Sequence, residues 1–406
     1  MNTSMHNQRL VKHIAGLGLT LAMTTTLNAQ PLALTETFIQ ENMDNAIAQY
    51  RTLIPTVPEG VLPRTLNKQD NGLITAKSNS WISGFYPGTL LYLYEYRKEP
   101  DLLAEAEKKL KLLEKEKDNK GTHDLGFMLY CSFGNALRLT GNTSYQDILL
   151  TGAESLASRF NPRVGCIRSW DHNGDKWKFP VIIDNMMNLE FLNWASRVSG
   201  NPKYEDISVT HANTTLKNHF RKDNSSYHVI DYDPKTGAVR NKHTHQGAHH
   251  ESAWARGQAW GLYGYTLMYR DTHKKAYLTQ ARKIAAFILS HPNLPEDGIP
   301  YWDYSVTGTD APRDASSAAI TASALLELSG MVGGKERRRY LEAAEHILTS
   351  LSSPAYRAPI GTNAGFILMH STGHFPGNSE IDVPLSYADY YYVEALMRYQ
   401  NLLNQK

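Results

Sequence analysis

The stretch Leu189–Tyr204, LEFLNWASRVSGNPKY, decides the fold. A helical run closes on Ser199-Gly200, a polar Asn-Pro-Lys turn follows, and a second helix begins at a tyrosine. Glycine is the expected helix stop, because it takes the left-handed conformation that ends a helix without strain. The same pattern recurs on both sides. Met128–Leu139 closes on Thr140-Gly141-Asn142-Thr143-Ser144-Tyr145. Leu262–Tyr269 passes through Arg270-Asp271-Thr272 to Tyr277, and Ala318–Leu328 ends in Ser329-Gly330, with Tyr340 opening the helix Leu341–Leu348. Tyr145, Tyr204, Tyr277 and Tyr340 are spaced 59, 73 and 63 residues apart, a period that belongs to repeated helical hairpins.

Working outward, Leu32–Arg51 carries apolar residues at helical spacing, and Gly88–Tyr96 begins another helix. Asp101–Lys117 sets Leu102, Leu103, Ala106, Leu110 and Leu113 on one face against lysines and glutamates, the mark of an outer amphipathic helix. Tyr94–Leu102 is a weaker early copy of the turn, and Ser386–Tyr399 is a last inner-type helix. About six hairpins with no strand-rich segment between them predict an all-α (α/α)6 barrel, a six-hairpin toroid whose alternate helices line the centre. An open superhelix is the structural rival. The repeats stop at six and neither end carries a polar cap, which favours closure. Short turns then gather at one end of the ring. The long loops, Lys120–Gly126, Val164–Asn185, Tyr227–Glu251, Leu294–Ser316 and Gly361–Ser386, gather at the other, where function is expected.

Residues 1–29 read as a signal peptide: Arg9, Lys12 and His13 precede the apolar Ile14–Met23, and Ala29 offers a cleavage site before Gln30. Residues 30–406 are then expected to form a single catalytic domain, exported to the periplasm. No later stretch is apolar enough to cross a bilayer. A formal charge of only +2 and the lack of a basic block argue against a nucleic-acid partner. Two cysteines, Cys131 and Cys166, make no disulfide scaffold. Neither C-x-x-C nor H-E-x-x-H occurs, so no metal or other cofactor is expected. The chain is expected to act as a monomer or weak homodimer.

Asp124 and Asp184 each precede an apolar inner helix, at equivalent places in successive repeats. Either alone reads equally as a helix cap. Together, flanked by apolar side chains, they read as a carboxylate pair in which burial and mutual repulsion raise one pKa towards neutrality. Asn241–Trp260, NKHTHQGAHHESAWARGQAW, passes from a histidine-rich loop into a helix read from Glu251 onward. His228, His245 and Gln246 offer hydrogen bonds to sugar hydroxyls. Arg256 suits either a bidentate hold on a substrate carboxylate or an internal salt bridge. Trp81 and Trp170 head loops at the same end and suit stacking on sugar faces. Asp314 reads as a helix cap.

The segments His123-Asp124-Leu125-Gly126-Phe127, Asp184-Asn185-Met186-Met187-Asn188-Leu189, His243-Thr244-His245-Gln246-Gly247 and Trp254–Trp260 closely resemble the unsaturated glucuronyl hydrolases of glycoside hydrolase family 88. Arg313–Ala319 and Asp382–Tyr391 extend the likeness towards the C-terminus. The resemblance implies the (α/α)6 barrel and a substrate with a 4,5-unsaturated uronic acid at its non-reducing end, made by a polysaccharide lyase from a glycosaminoglycan of the chondroitin, hyaluronan or heparin type. It implies hydration of the C4=C5 bond, with Asp184 as general acid and base and Asp124 as the second carboxylate. It places His228, His245, Gln246 and Arg256 in the pocket, with Trp81, Trp170 and Trp260 as aromatic walls. Ser371 and His374 fall in the region that holds sulfate in some members, although the lysine expected there is missing. Two alternatives stay open on the residues alone: an unsaturated rhamnogalacturonyl hydrolase acting on pectin fragments, and a non-catalytic oligosaccharide-binding toroid.

Overall fold

A computed structural model describes residues 33–405. The expected signal peptide lies outside the described residues. Twelve α-helices run through them: α1 (Glu36–Leu53), α2 (Phe85–Arg97), α3 (Pro100–Leu113), α4 (Asn135–Thr140), α5 (Ser144–Ala157), α6 (Leu189–Ser199), α7 (Lys203–Asn218), α8 (Ala255–Thr272), α9 (Lys275–Ser290), α10 (Ala315–Ser329), α11 (Gly334–Leu351) and α12 (Ser386–Asn404). The even-numbered helices form the inner ring. Each packs on its odd-numbered neighbour outside, and α12 pairs with α1. The ring closes because α12 packs against both α10 and α2, which excludes the open superhelix. The inner helices are buried on nearly every face, as Ala255–Met268 of α8 and Ser386–Met397 of α12 show. The outer helices bury one stripe and keep their charges in water.

Two inner helices begin in unusual ways. A π-helical segment, Gly126–Gly134, runs into α4, and a 3-10 turn, Ile183–Asn188, runs into α6. Asp124 lies just ahead of the first and Asp184 lies inside the second. Close backbone approach holds the 3-10 turn against α8: a Cβ on Gly264 would sit 2.4 Å from the Met186 Cβ.

The predicted helices are present, with shifted boundaries. α8 starts at Ala255, not at Glu251, because Trp254 is drawn into an extended bridge with Asp303 and Ala255 N–H donates to the Trp302 carbonyl at 3.0 Å. Tyr340 lies inside α11 and does not open it. The connections, where the sequence predicts no strand-rich segment, hold short strands. β1 (Leu62–Leu66) pairs with β2 (Leu73–Ala76), and β3 (Phe160–Asn161) with β4 (Cys166–Ile167). β5 (Pro180–Ile182), β6 (Val229–Tyr232) and β7 (Val239–His243) form an antiparallel sheet in that order, and β8 (Ser371–His374) pairs with β9 (Ser379–Val383). These strands are too short to show an alternating pattern in the sequence. Among the described residues no helix is long and apolar enough to cross a membrane.

Candidate active site

The three-stranded sheet assembles most of the site. Its register sets Ile182 opposite Val229 and Val229 opposite His243. Asp184, His228 and His245 therefore emerge at one end of the sheet, although some 60 residues separate the first from the last. Asp231 anchors the sheet from within. It is fully buried, accepts the N–H groups of Lys178 and Phe179 at 2.8 and 2.9 Å, and pairs with Arg240 at 2.7 Å.

His228 is held in one tautomer. Its Nδ1 accepts the backbone N–H groups of His245 and Gln246, each at 3.1 Å. Burial keeps the ring neutral, well below its ordinary pKa. The proton therefore sits on Nε2, which faces Asp184 Oδ2 at 3.9 Å. Asp184 is 9% exposed. Burial pushes its carboxyl up, the Arg256 charge pulls it down and the Asp124 charge pushes it up again, leaving it at about 7. Neither aspartate caps its helix with its side chain. Asp124 accepts from the Thr122 hydroxyl at 2.8 Å. His123, fully buried, donates Nδ1–H to the Ser169 carbonyl at 2.9 Å and turns Nε2 to Asp124 Oδ1 at 3.2 Å.

Aromatic rings enclose this centre. Trp170 lies 5.9 Å from His228 and 5.3 Å from His245, centroid to centroid, and Trp254 lies 4.6 Å from His228. Trp81 packs on Phe127 at 5.6 Å and on Tyr387 at 4.8 Å, and Phe127 packs on Trp260 at 5.1 Å. The Trp260 indole nitrogen has no hydrogen-bond partner, yet lies near enough to Asp184 to favour its ionised form. Asp184 Oδ2, His228 Nε2, Trp260 Nε1, Arg256 Nε and Tyr387 Oη are all buried without a partner. Buried polar atoms are normally paired, so such a concentration marks a place built for a polar ligand. The inner helices all begin at this end, and their positive N-termini favour an anion there.

Arg256 takes the second of its two expected roles. It is 1% exposed. Its Nη1 donates to Asp314 at 2.9 Å and to the Thr372 carbonyl at 2.6 Å, and Nη2 donates to the Gly373 carbonyl at 2.5 Å. Only Nε stays free. Asp314 also caps α10 through the Ser316 N–H. Arg256 thus fixes the β8–β9 hairpin to the ring. Gln246 adds a bond from Nε2 to the same Gly373 carbonyl at 2.9 Å. The hairpin is strained, with His370, Asn378, Glu380 and Asp382 in left-handed conformations. Arg64 to Glu380 and His370 to Asp382, each at 2.6 Å, hold it. His374, on this hairpin, brings its ring within 4.7 Å of His245. Ser371 is buried within the hairpin, and the neighbouring Thr372 hydroxyl is taken by the Arg313 carbonyl at 2.9 Å.

The histidine-rich loop divides. His245 and Gln246 join the site. His243 and His250 stack on each other at 4.2 Å, and Trp177 donates to His243 at 3.2 Å. His249 and His250 are exposed. Tyr387, His123 and Trp254 belong to the site without having stood out individually in the sequence. Tyr387 lies in a tyrosine-rich helix that looks like plain core. Among the described residues no group of three His, Cys, Asp or Glu side chains is placed to hold a metal. Both cysteines are free thiols.

A closed α/α ring with a buried carboxyl of raised pKa at its long-loop end, a second carboxyl close by and tryptophans around both has the layout of a carbohydrate-active hydrolase. The chain belongs to Glycosyl Hydrolase Family 88, whose sequence profile matches residues 59–393. It is 48% identical over 343 residues to an unsaturated glucuronyl hydrolase of Formosa agariphila, covering 84% of this chain and 85% of that one. It is 33% identical over 335 residues to an unsaturated glucuronyl hydrolase of a Bacillus species, covering 81% and 88%. Among solved structures, an unsaturated glucuronyl hydrolase described as specific for heparin superposes with a TM-score of 0.88 at 50% identity, covering 91% of this chain and 99% of the other.

Proposed function

We propose that this enzyme releases the 4,5-unsaturated uronic acid from the non-reducing end of lyase-generated glycosaminoglycan oligosaccharides by hydrating the C4=C5 bond. The observation that carries the reading is the Asp184 carboxyl, buried, unpartnered at Oδ2 and pushed up to about 7. An enol ether is protonated on carbon, and that step needs an acid that still holds its proton near neutrality. Asp184 gives its proton to C4. Positive charge develops at C5 and the ring oxygen, stabilised by the Asp184 and Asp124 carboxylates. Asp184 then takes a proton from the water that adds to C5. The resulting C5 hemiketal opens, the hemiacetal at C1 collapses, and the rest of the oligosaccharide leaves as an alcohol. One water is consumed and Asp184 ends protonated, as it began.

His228 Nε2–H, 3.9 Å from Asp184 Oδ2 and free of any other partner, is a donor placed to meet the carboxylate or the attacking water. Arg256 Nε and the Tyr387 hydroxyl are the free donors best suited to the uronate carboxylate. Trp81, Trp170 and Trp260 form the walls. His245 and Gln246 line the entrance with His374. Burial and the Arg256 charge hold His374 below its ordinary pKa, so it offers a sulfate a hydrogen bond but no charge, and Ser371 lies too deep to add one. The heparin-specific enzyme similar to this chain puts heparin-derived disaccharides first among substrates to try. Residues 1–29 act as an export signal in this reading, and the enzyme works in the periplasm as a monomer or weak homodimer, with no nucleic-acid partner.

The test is the loss of the ultraviolet absorbance of the unsaturated uronate. The substrates are disaccharides from heparin, hyaluronan, unsulfated chondroitin, 6-sulfated chondroitin and rhamnogalacturonan. Decay on a glucuronyl substrate that disappears with Asp184→Asn supports the reading. Decay on the rhamnogalacturonan product alone moves the enzyme to pectin fragments, and sugar binding without decay on any of them makes the chain a binding protein.

A further inference from the structure

The two carboxylates sit on separate helix starts, and one buried side chain ties those starts together. Asn188 ends the 3-10 turn that carries Asp184 and is fully buried. Its Oδ1 accepts the N–H of Phe127, in the first turn after Asp124, at 3.1 Å across a gap of 61 residues. The approach leaves no room for a side chain: a Cβ on Gly126 would lie 2.6 Å from Asn188 Oδ1 and 2.8 Å from its Cα. The π-helical segment begins at this contact, and π-helical turns concentrate at functional sites. Asn188 Nδ2 is buried with no partner, a cost that a plain core position would shed by carrying an apolar residue. Of its side-chain polar atoms only Oδ1 is in use.

We infer that Asn188, locked against Gly126, is a positioning residue that sets the separation and aim of the Asp124 and Asp184 carboxylates. The inference rests on those two aspartates being the reacting pair. Asp184 is faced by Asp124 from the mouth of the π-helical segment, with His123 beside it, by His228 from the start of β6 and by Arg256 from α8. Of these, Asp124 and the neighbouring His123 lie on the segment that the Asn188 tie holds, whereas His228 and Arg256 lie on other elements. Looser spacing weakens the repulsion that helps keep Asp184 protonated.

The experiment compares wild type, Asn188→Ala and Gly126→Ala on an unsaturated disaccharide, with kcat, KM and the full pH profile measured on folded enzyme. The first variant removes the tie and the second forces the two helix starts apart, so either one that folds suffices. The expected result is a fall in kcat of about tenfold to hundredfold, the scale of a sub-ångström to 1 Å misplacement. KM should stay within about threefold, and the alkaline limb of kcat/KM should move down by about half a pH unit. A lowered melting temperature with kcat and the pH limb unmoved would overturn the inference, as would a fall in kcat with no movement of the limb. Asp184→Asn run alongside separates the two ideas. If it keeps its activity, the reacting pair itself is misassigned. If it is inactive while Asn188→Ala behaves as wild type, only the positioning role fails.

Discussion

The interior of the ring and its long-loop end handle buried acids in opposite ways. Deeper inside the ring lies a cavity of about 360 Å³, bounded towards the site by Gly126 and Phe127 and lined further in by Arg138, Glu190, Glu394 and Arg398. Its acids are matched. Glu394 accepts from Tyr92 and Tyr263 at 3.0 Å and from Ser323 at 2.5 Å. Glu190 takes Arg270 at 2.6 Å, although burial outweighs that charge and leaves its carboxyl above its ordinary pKa. Near them, burial pushes Glu327 up, but Arg398 and Arg270 more than offset this and hold it below the usual carboxylate range. At the long-loop end the nearest guanidinium, Arg256, is already committed to Asp314, so Asp184 is left near 7. Asp389 supplies a third case. It too is pushed up to about 7, yet both its oxygens accept backbone N–H groups, from Ile367 and Leu368 at 3.0 and 2.9 Å. A raised pKa alone therefore does not mark a catalytic acid. What sets Asp184 apart is a buried oxygen left unpartnered beside a second carboxylate.

The largest expected effect breaks or keeps that distinction outright. Asp184→Asn should cost about 10³- to 10⁴-fold in kcat, with KM within about threefold, since it removes a group that acts only in the transition state. An equal loss through kcat and KM would make Asp184 a binding residue. Asp124→Asn comes next, at about 10²-fold. It should also lower the pH at which kcat/KM falls, because the negative charge that helps Asp184 keep its proton is gone. The wild-type profile should fall as pH rises through about 7, the point at which Asp184 loses that proton. His228→Asn should cost about tenfold to hundredfold in kcat. Glu327→Gln, in the matched interior, should leave activity per folded molecule within about twofold. Its cost should appear as about 3 kcal/mol of unfolding free energy in a denaturant titration, because it strips a buried partner from Arg270 and Arg398. An activity loss there comparable to that of His228→Asn would mean that the two regions are coupled.

The ring was legible because helices announce themselves. Gly141, Gly200 and Gly330 mark stops, and the tyrosine spacing marks repeats. The two aspartates were legible as apolar-flanked acids at matching places. What stayed hidden depends on pairing between distant segments. Nothing in Pro180–Ile182 or Val229–Tyr232 signals that they are neighbours, yet their pairing brings His228 to Asp184. Arg256 shows the same limit: its residue type suits a carboxylate clamp or an ion pair equally, and the choice is made by Asp314, 58 residues away. The start of α8 has the same origin, since Trp254 is drawn out of the helical pattern by its bridge with Asp303.

The smallest effect sharpens the comparison most, because it runs against the usual direction of a mutation. A carboxyl whose pKa is higher folded than unfolded binds its proton more tightly in the native state. Its contribution to stability is fully present below the unfolded value, about 4, and is lost as pH rises through the folded value, about 7. Asp184 therefore destabilises the enzyme at pH 8, where its charge is buried without a full partner. Asn has nearly the same shape and no charge to bury. Asp184→Asn should melt near the wild-type temperature at pH 4 and a few degrees above it at pH 8, with the gap opening between those limits. Glu327→Gln should show no such gain, because its acid is held ionised by two guanidiniums. Melting curves of both variants and wild type at four or five pH values decide the matter. An Asp184→Asn variant no more stable than wild type at pH 8 would show that the Asp184 charge is compensated in the folded enzyme, and the contrast between the two regions of the ring would go with it.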